Sequence, residues 1–350
     1  MFKRSILGAA LGALAVGTAL AQTPPTVESL VASARVYAGA DWGGTFKSVC
    51  IPTPATGTAT LPTVNPANYP TDTLPTPPGG TPPRSNWYAP PAQIGDNFYW
   101  LGTRNHNTYA LVNRARETIL IDGNFAYATE DEIHKGLEYL GLRLDKVTHS
   151  IYAHAHADHD GGAHLTEAAA RNATIIYGEG DWPSVMARTV PHATRHGPEN
   201  DGTDGRVITS RDTSIKIITY PGHTPGTISF LFEFMDGGQP VRVAYPGGTL
   251  FSFTATADFY DQYIASVRKF AQAAADFGAV SLMTNHHEYD LAFYKAHAAS
   301  NLRREHHRTM QGENGDTPNP YVIGQRRTLN YFAMLELCAM AAKLRATGSL

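Results

Sequence analysis

From residue 94 onward, short runs of β-branched and aromatic residues alternate with segments of helical spacing. Residues 98–102, 108–112 and 118–121 predict three strands, the last running into Asp122-Gly123. Residues 130–140 carry apolar positions at helical spacing, with Thr129 as the expected cap. The β-branched run 147–152 predicts a short buried strand. A small-residue helix (163–171), a strand (174–177) and a pair of strands (214–220 and 228–234) are expected next. A strand (241–245), a helix (261–277), a strand (280–283) and two C-terminal helices complete the pattern. Strands interleaved with helices along the whole segment predict an α/β sandwich.

Ahead of residue 94 the pattern breaks. Over 52–91 Pro and Thr dominate and only Asp72 and Arg84 are charged, so this stretch cannot fold alone and favours an extended arm. Trp42, Phe46, Trp87 and Tyr88 flank it and are expected to dock it. The chain opens with Lys3 and Arg4, an apolar run over 6–20 and Ala19-Leu20-Ala21, the layout of a secretory signal. The run is short for a bilayer span and rich in Gly and Ala, which argues against an anchor. The reading is therefore a signal peptide (1–21), a Pro/Thr-rich extension (22–93) and a globular domain (94–350), periplasmic or secreted, with no membrane span after signal removal. In that setting Cys50 and Cys338 either bridge the extension to the last helix or remain two buried thiols. A formal net charge of −3 argues against a nucleic-acid partner, which needs a basic face.

Chemistry concentrates just after the 147–152 strand. His154-Ala155-His156-Ala157-Asp158-His159-Asp160-Gly161-Gly162 places His154 and His156 on one side of an extended segment, with Asp158 and His159 at the turn into the next helix. So many imidazoles and carboxylates suit metal binding better than a core, where unpaired polar groups are costly. Zinc takes imidazole and carboxylate ligands, and a catalytic ion keeps one position open. Four side chains cannot complete two such sites. His223, in Pro221-Gly222-His223-Thr224-Pro225-Gly226, and His286, in Thr284-Asn285-His286-His287, follow predicted strands and are the remaining candidates.

At these residues the chain resembles the metallo-β-lactamase superfamily, from about Trp87 to the region of His286. Residues 154–159 match its His-x-His-x-Asp-His motif, residues 222–226 match Gly-His-Thr-Pro-Gly, and His286 matches the final ligand. The resemblance implies a four-layer αββα sandwich and two zinc ions, one held by His154, His156 and His223, the other by Asp158, His159 and His286. Gln93-Ile94-Gly95 and Thr284-Asn285-His286 look most like the third subclass of class B β-lactamases. Lactonases and glyoxalase-II-type thioesterases of the superfamily carry a metal-bridging Asp where this chain has Gly248, although Asp258 or Asp261 could swing in. The implied activity is hydrolysis of a cyclic amide in a small-molecule substrate, with Asp158 as both ligand and orienting group. Rival readings are a lactonase or thioester hydrolase, and a secreted protein that keeps zinc without catalysis.

Other polar residues carry weaker expectations. Asp122 is a candidate to orient a ligand, and Asp160 a candidate helix cap. His287 is expected at the surface. His192 and His196 lie in a polar loop that is either solvated or covers the site, and His306 and His307 mark a solvated helix end.

Overall fold

The computed structural model describes residues 24–52, 81–308 and 319–350, the side chains of 306–308 excepted. The signal segment, most of the Pro/Thr stretch (53–80) and the His306 and His307 side chains lie outside the described residues.

Eleven strands are described: β1 (Ala92–Gln93), β2 (Phe98–Trp100), β3 (Tyr109–Val112), β4 (Thr118–Ile121), β5 (Val147–Ile151), β6 (Thr174–Ile176), β7 (Val207–Ser210), β8 (Thr213–Thr219), β9 (Ile228–Asp236), β10 (Gln239–Tyr245) and β11 (Ser281–Leu282). They form a six-stranded sheet in the order β1 to β6 and a five-stranded sheet ordered β11-β10-β9-β8-β7. The pairs β4–β5, β5–β6 and β10–β11 are parallel, and the rest antiparallel.

Side chains on a strand alternate between faces, and here both faces are covered. Ile119 and Ile121 of β4 enter the core between the sheets, while Leu120 joins an outer core under the helical segment 126–139. In β9, Phe230, Phe232 and Phe234 point inward, and Leu231 packs outward beneath the helices Ala257–Phe277 and Gln325–Thr347. The layers are therefore helix, sheet, sheet and helix. Burial on both faces explains why these strands read as near-continuous apolar runs.

Differences from the sequence expectations are local. Thr129 is not a cap: the helical segment starts at Ala126, and the Thr129 hydroxyl donates to the Phe125 carbonyl at 3.1 Å. Helix Ala257–Phe277 begins four residues before the expected start, at the Thr256 cap, whose side chain accepts the Phe259 N–H. Residues 27–50, counted in the N-terminal extension (22–93) with no element expected there, form helices Val27–Ala38 and Gly43–Cys50. These helices bury Trp42, Phe46 and Val49 against Tyr331, Leu335 and Cys338 of the last helix, and Cys50 and Cys338 form a disulfide. Trp87 is also buried, edge-on to Tyr127. No helix among the described residues is long and apolar enough to cross a membrane.

Glu132 is buried in the helical layer with one carboxylate oxygen accepting the Ala89 N–H at 3.0 Å. Burial pushes its carboxyl up from 4.5 to about 9. The folded state thus holds a proton that the unfolded chain releases, so stability falls as pH rises from about 4.5 to about 9, by up to about 1.4 kcal/mol per unit. Glu132→Gln keeps the acceptor and removes the ionisation. Thermal melts across pH should show the variant level with wild type near pH 4.5 and progressively more stable above it; parallel curves would contradict the assignment.

Candidate metal centre

The site lies where strands from both sheets end. The loop after β5 supplies His154, His156, Asp158 and His159, the last two within the short helix Ala157–Asp160. The β8–β9 turn supplies His223, and the segment after β11 supplies His286. All six residues singled out in the sequence converge there.

They form two adjoining groups. In the first, His223 Nε2 stands 3.1 Å from His154 Nε2 and 3.1 Å from His156 Nδ1. In the second, His159 Nε2 is 3.0 Å from His286 Nε2 and 3.2 Å from an Asp158 oxygen, which is 3.3 Å from His286 Nε2. Ligands at zinc's usual bond length of about 2.0–2.1 Å span tetrahedral edges of about 3.3–3.4 Å, so both donor sets fit a small divalent ion. The His154 and His159 ring centroids are 4.4 Å apart, which joins the groups.

What stands behind each imidazole differs between the groups. In the first, carbonyls accept the rear N–H: Gly247 from His154 Nδ1 at 2.8 Å, and Leu250 from His223 Nδ1 at 2.6 Å. Each bond leaves Nε2 facing its partners. Burial holds all three rings neutral, with His156 lowered to about 4 and His223 to about 3. In the second group carboxylates stand behind the rings. Asp122 lies 3.5 Å from His159 Nδ1 and Glu288 3.4 Å from His286 Nδ1. Burial would lower both histidines, but the carboxylates outweigh it, raising His159 and holding His286 at about 9. Asp158 is kept well below the usual carboxylate range, because His159 and His106 outweigh its burial.

Asp122 therefore backs a site residue, as the sequence suggested, and it also accepts the Tyr245 hydroxyl at 2.8 Å. Asp160 does not cap the next helix. Its buried carboxylate accepts from Arg188 at 2.7 Å, and the following helix, Ala163–Ala169, has Gly162 at its cap position and no side-chain cap. His287 is half-buried against Phe293 and Tyr294 rather than at the surface. His192 and His196 are outside both groups; the former contacts the Val190 carbonyl and the latter Glu167. Asp261 is occupied by Lys343 at 2.6 Å, and Asp258 is exposed at a helix start.

Besides Glu288, two residues escaped the sequence reading. Asp181 accepts from Ala155 N, Gly226 N and the Thr224 hydroxyl, each at 2.8 Å, and so pins the His154–His156 loop to the His223 turn. His106, between β2 and β3, brings Nε2 to 3.4 Å from Asp158 and shares a possible metal-holding cluster with Asp158 and His286. No motif flags either residue. The hint was weak: a histidine three positions ahead of β3, whose neighbour β4 ends at Ile121 just before Asp122.

Gly248 sits against His223, and a Cβ there would come within 2.5 Å of His223 Cβ. This backbone has no room for a carboxylate at that position. Beside the first group opens a cleft of about 530 Å³, lined by His156, His223, Ser184, Thr189, Val190 and Pro225 among others.

Residues 101–236 match the family model described as the metallo-beta-lactamase superfamily. Among solved structures, the subclass B3 metallo-beta-lactamase BJP-1 of Bradyrhizobium japonicum is 21% identical at a TM-score of 0.54, covering 70% of this chain and 91% of its own. The class B3 di-zinc metallo-beta-lactamase LRA-12 from an Alaskan soil metagenome is 19% identical at 0.55, covering 74% and 95%. A curated protein of Dictyostelium discoideum named Glyoxylase B2 is 29% identical over 118 residues, 28% of this chain; the match spans 40% of that protein's length.

Proposed function

We propose, from the premise that the chain carries a metallo-beta-lactamase superfamily domain, that it is a secreted zinc-dependent hydrolase opening a β-lactam or a similar cyclic amide. The observation carrying this reading is the pair of adjoining donor groups beside an open cleft, with no carboxylate shared through position 248. His154, His156 and His223 would hold one ion, and Asp158, His159 and His286 the other. Bound zinc supplies Lewis acidity towards a carbonyl and brings the pKa of water towards neutrality.

The chain's own residues do the rest. Asp158, kept ionised, presents a hydrogen-bond acceptor that orients the attacking water. Asp122 and Glu288 fix the ring planes of His159 and His286, and Asp181 fixes the spacing of the two loops. Ala187, Val190 and Pro225 offer an apolar wall for the body of the substrate, and Ser184 and Thr189 offer polar contacts. Secretion is supported by the Cys50–Cys338 disulfide, since such bonds persist in oxidising compartments.

A second reading, lactone or thioester hydrolysis, draws on the partial likeness to Glyoxylase B2. Rates on a chromogenic cephalosporin, an acyl-homoserine lactone and a glutathione thioester, with zinc measured alongside, separate the two. The cephalosporin should be turned over fastest by protein holding two zinc ions. A preference for either of the others would replace the proposal, and bound zinc without turnover on any would leave a non-catalytic protein.

A further inference from the structure

His106 lies outside the six-residue set, yet it is buried at 4% exposure in the wall of the second donor group. Its ring centroid stands 4.9 Å from that of His286 and 6.0 Å from that of His159, with the Phe125 ring edge-on at 5.2 Å. The backbone locks it to the His286 segment. His106 and His286 form an isolated β-bridge, Asn107 N donates to Asn285 O at 2.9 Å, and His287 N donates to Asn105 O at 2.8 Å. The Asn107 side chain adds a bond to the Thr284 carbonyl at 3.0 Å. His106 and His286 are therefore presented to Asp158 as one unit, although 180 positions separate them in the chain.

The proton on the ring can be placed. Thr103 Oγ1 accepts the backbone N–H of His106 at 3.0 Å and that of Asn105 at 3.3 Å. Its own hydrogen is then directed to His106 Nδ1, 3.3 Å away. Nδ1 accepts, so the ring proton sits on Nε2, which faces the Asp158 carboxylate at 3.4 Å.

We infer that His106 is a positioning residue for the second metal site: through Thr103 and its own Nε2–H it orients the Asp158 carboxylate that would ligate the ion. The inference rests on the proposed two-ion reading. A carboxylate that is free to rotate spends less time with an oxygen aimed at the ion, and loss of such an outer partner costs about 10–100-fold in metal affinity. The wide His106–His159 ring separation sets His106 beside the donor set rather than within it. The contacts of His106 run to Asp158, His286 and Phe125, so the effect is expected at the second ion's step.

The test is a stepwise zinc titration of the full chain, stripped of metal, against a chromophoric chelator. Wild type should take up two ions. His106→Leu keeps the packing against Phe125 and should weaken only the second step, by about 10–100-fold. His106→Gln, which returns an N–H near the place of Nε2, should recover most of the loss. With cobalt as the probe, fully loaded His106→Leu should keep the wild-type absorption bands. Two unchanged steps in His106→Leu would overturn the inference while leaving the two-ion reading intact. Shifted cobalt bands would make His106 a ligand and overturn the positioning role. Uptake of a single ion by wild type would overturn the two-ion reading itself, and this inference with it.

Discussion

Asp158→Ala is expected to abolish turnover, by about a thousandfold or more, and to lower zinc content from two ions to one. The size follows from the roles that meet in one side chain. Loss of a partner merely behind a ligand already costs about 10–100-fold; Asp158 faces His106, His159 and His286 and is itself the proposed ligand and the proposed acceptor that orients water. Its removal also leaves His159 and His286 without a counter-charge that helps hold them protonated in the metal-free protein. Steady-state rates with metal analysis on the same sample decide the point. Activity surviving with both ions in place would remove Asp158 from the mechanism, and activity lost with both ions in place would confine it to orienting.

Breaking the Cys50–Cys338 bond is expected to produce the largest loss of stability among single covalent changes. The cross-link closes a loop with a sequence separation of 288, which on a chain-entropy argument restricts the unfolded ensemble by about 5 kcal/mol. It clamps the helices Val27–Ala38 and Gly43–Cys50 onto the last helix, where Trp42 donates through Nε1 to the Arg327 carbonyl at 3.0 Å. A Cys50→Ser, Cys338→Ser double variant should melt roughly 10 °C below wild type. Reductant should lower the wild-type melting temperature towards the variant and leave the variant unmoved. The bond lies on the outer face of the five-stranded sheet, and helix Gly43–Cys50 touches the segment after His286 through the Thr45 hydroxyl, which donates to the Tyr289 carbonyl at 2.9 Å, so any loss of rate in the double variant should track loss of that contact. Equal melting temperatures would mean that packing around Trp42 and Phe46 holds these helices without the bond.

The two outcomes probe parts of the molecule that differed in how well they could be read from residues alone. Nine of the eleven described strands were legible because β-branched and aromatic runs are local features, and β4 was placed to the residue, whereas the two-residue β1 and the short β7 were missed. The helices of 27–50 were not. They are short, follow a leader-like segment and precede a proline-rich one, and what stabilises them is contact with Leu335 and Cys338, far along the chain. The Thr129 assignment failed for a related reason: Thr is a good cap in isolation, but helical geometry had already begun at Ala126.

For the metal centre, the amino-acid order alone determined which side chains have the right chemistry and, by their position after strand ends, that His154 to His159, His223 and His286 would face one edge of the fold. Period-two alternation and glycine-rich turns act over a few residues, so they leave a trace in the string. Apart from Asp122, what stands behind those side chains was decided only by the tertiary structure. Asp181 bridges loops that follow strands of separate sheets, His106 reaches Asp158 from a different strand end of the same sheet, and Glu288 alone is a chain neighbour of the residue it backs. Hydrogen bonds act over about 3 Å in space whatever the distance along the chain, and no spacing rule records them.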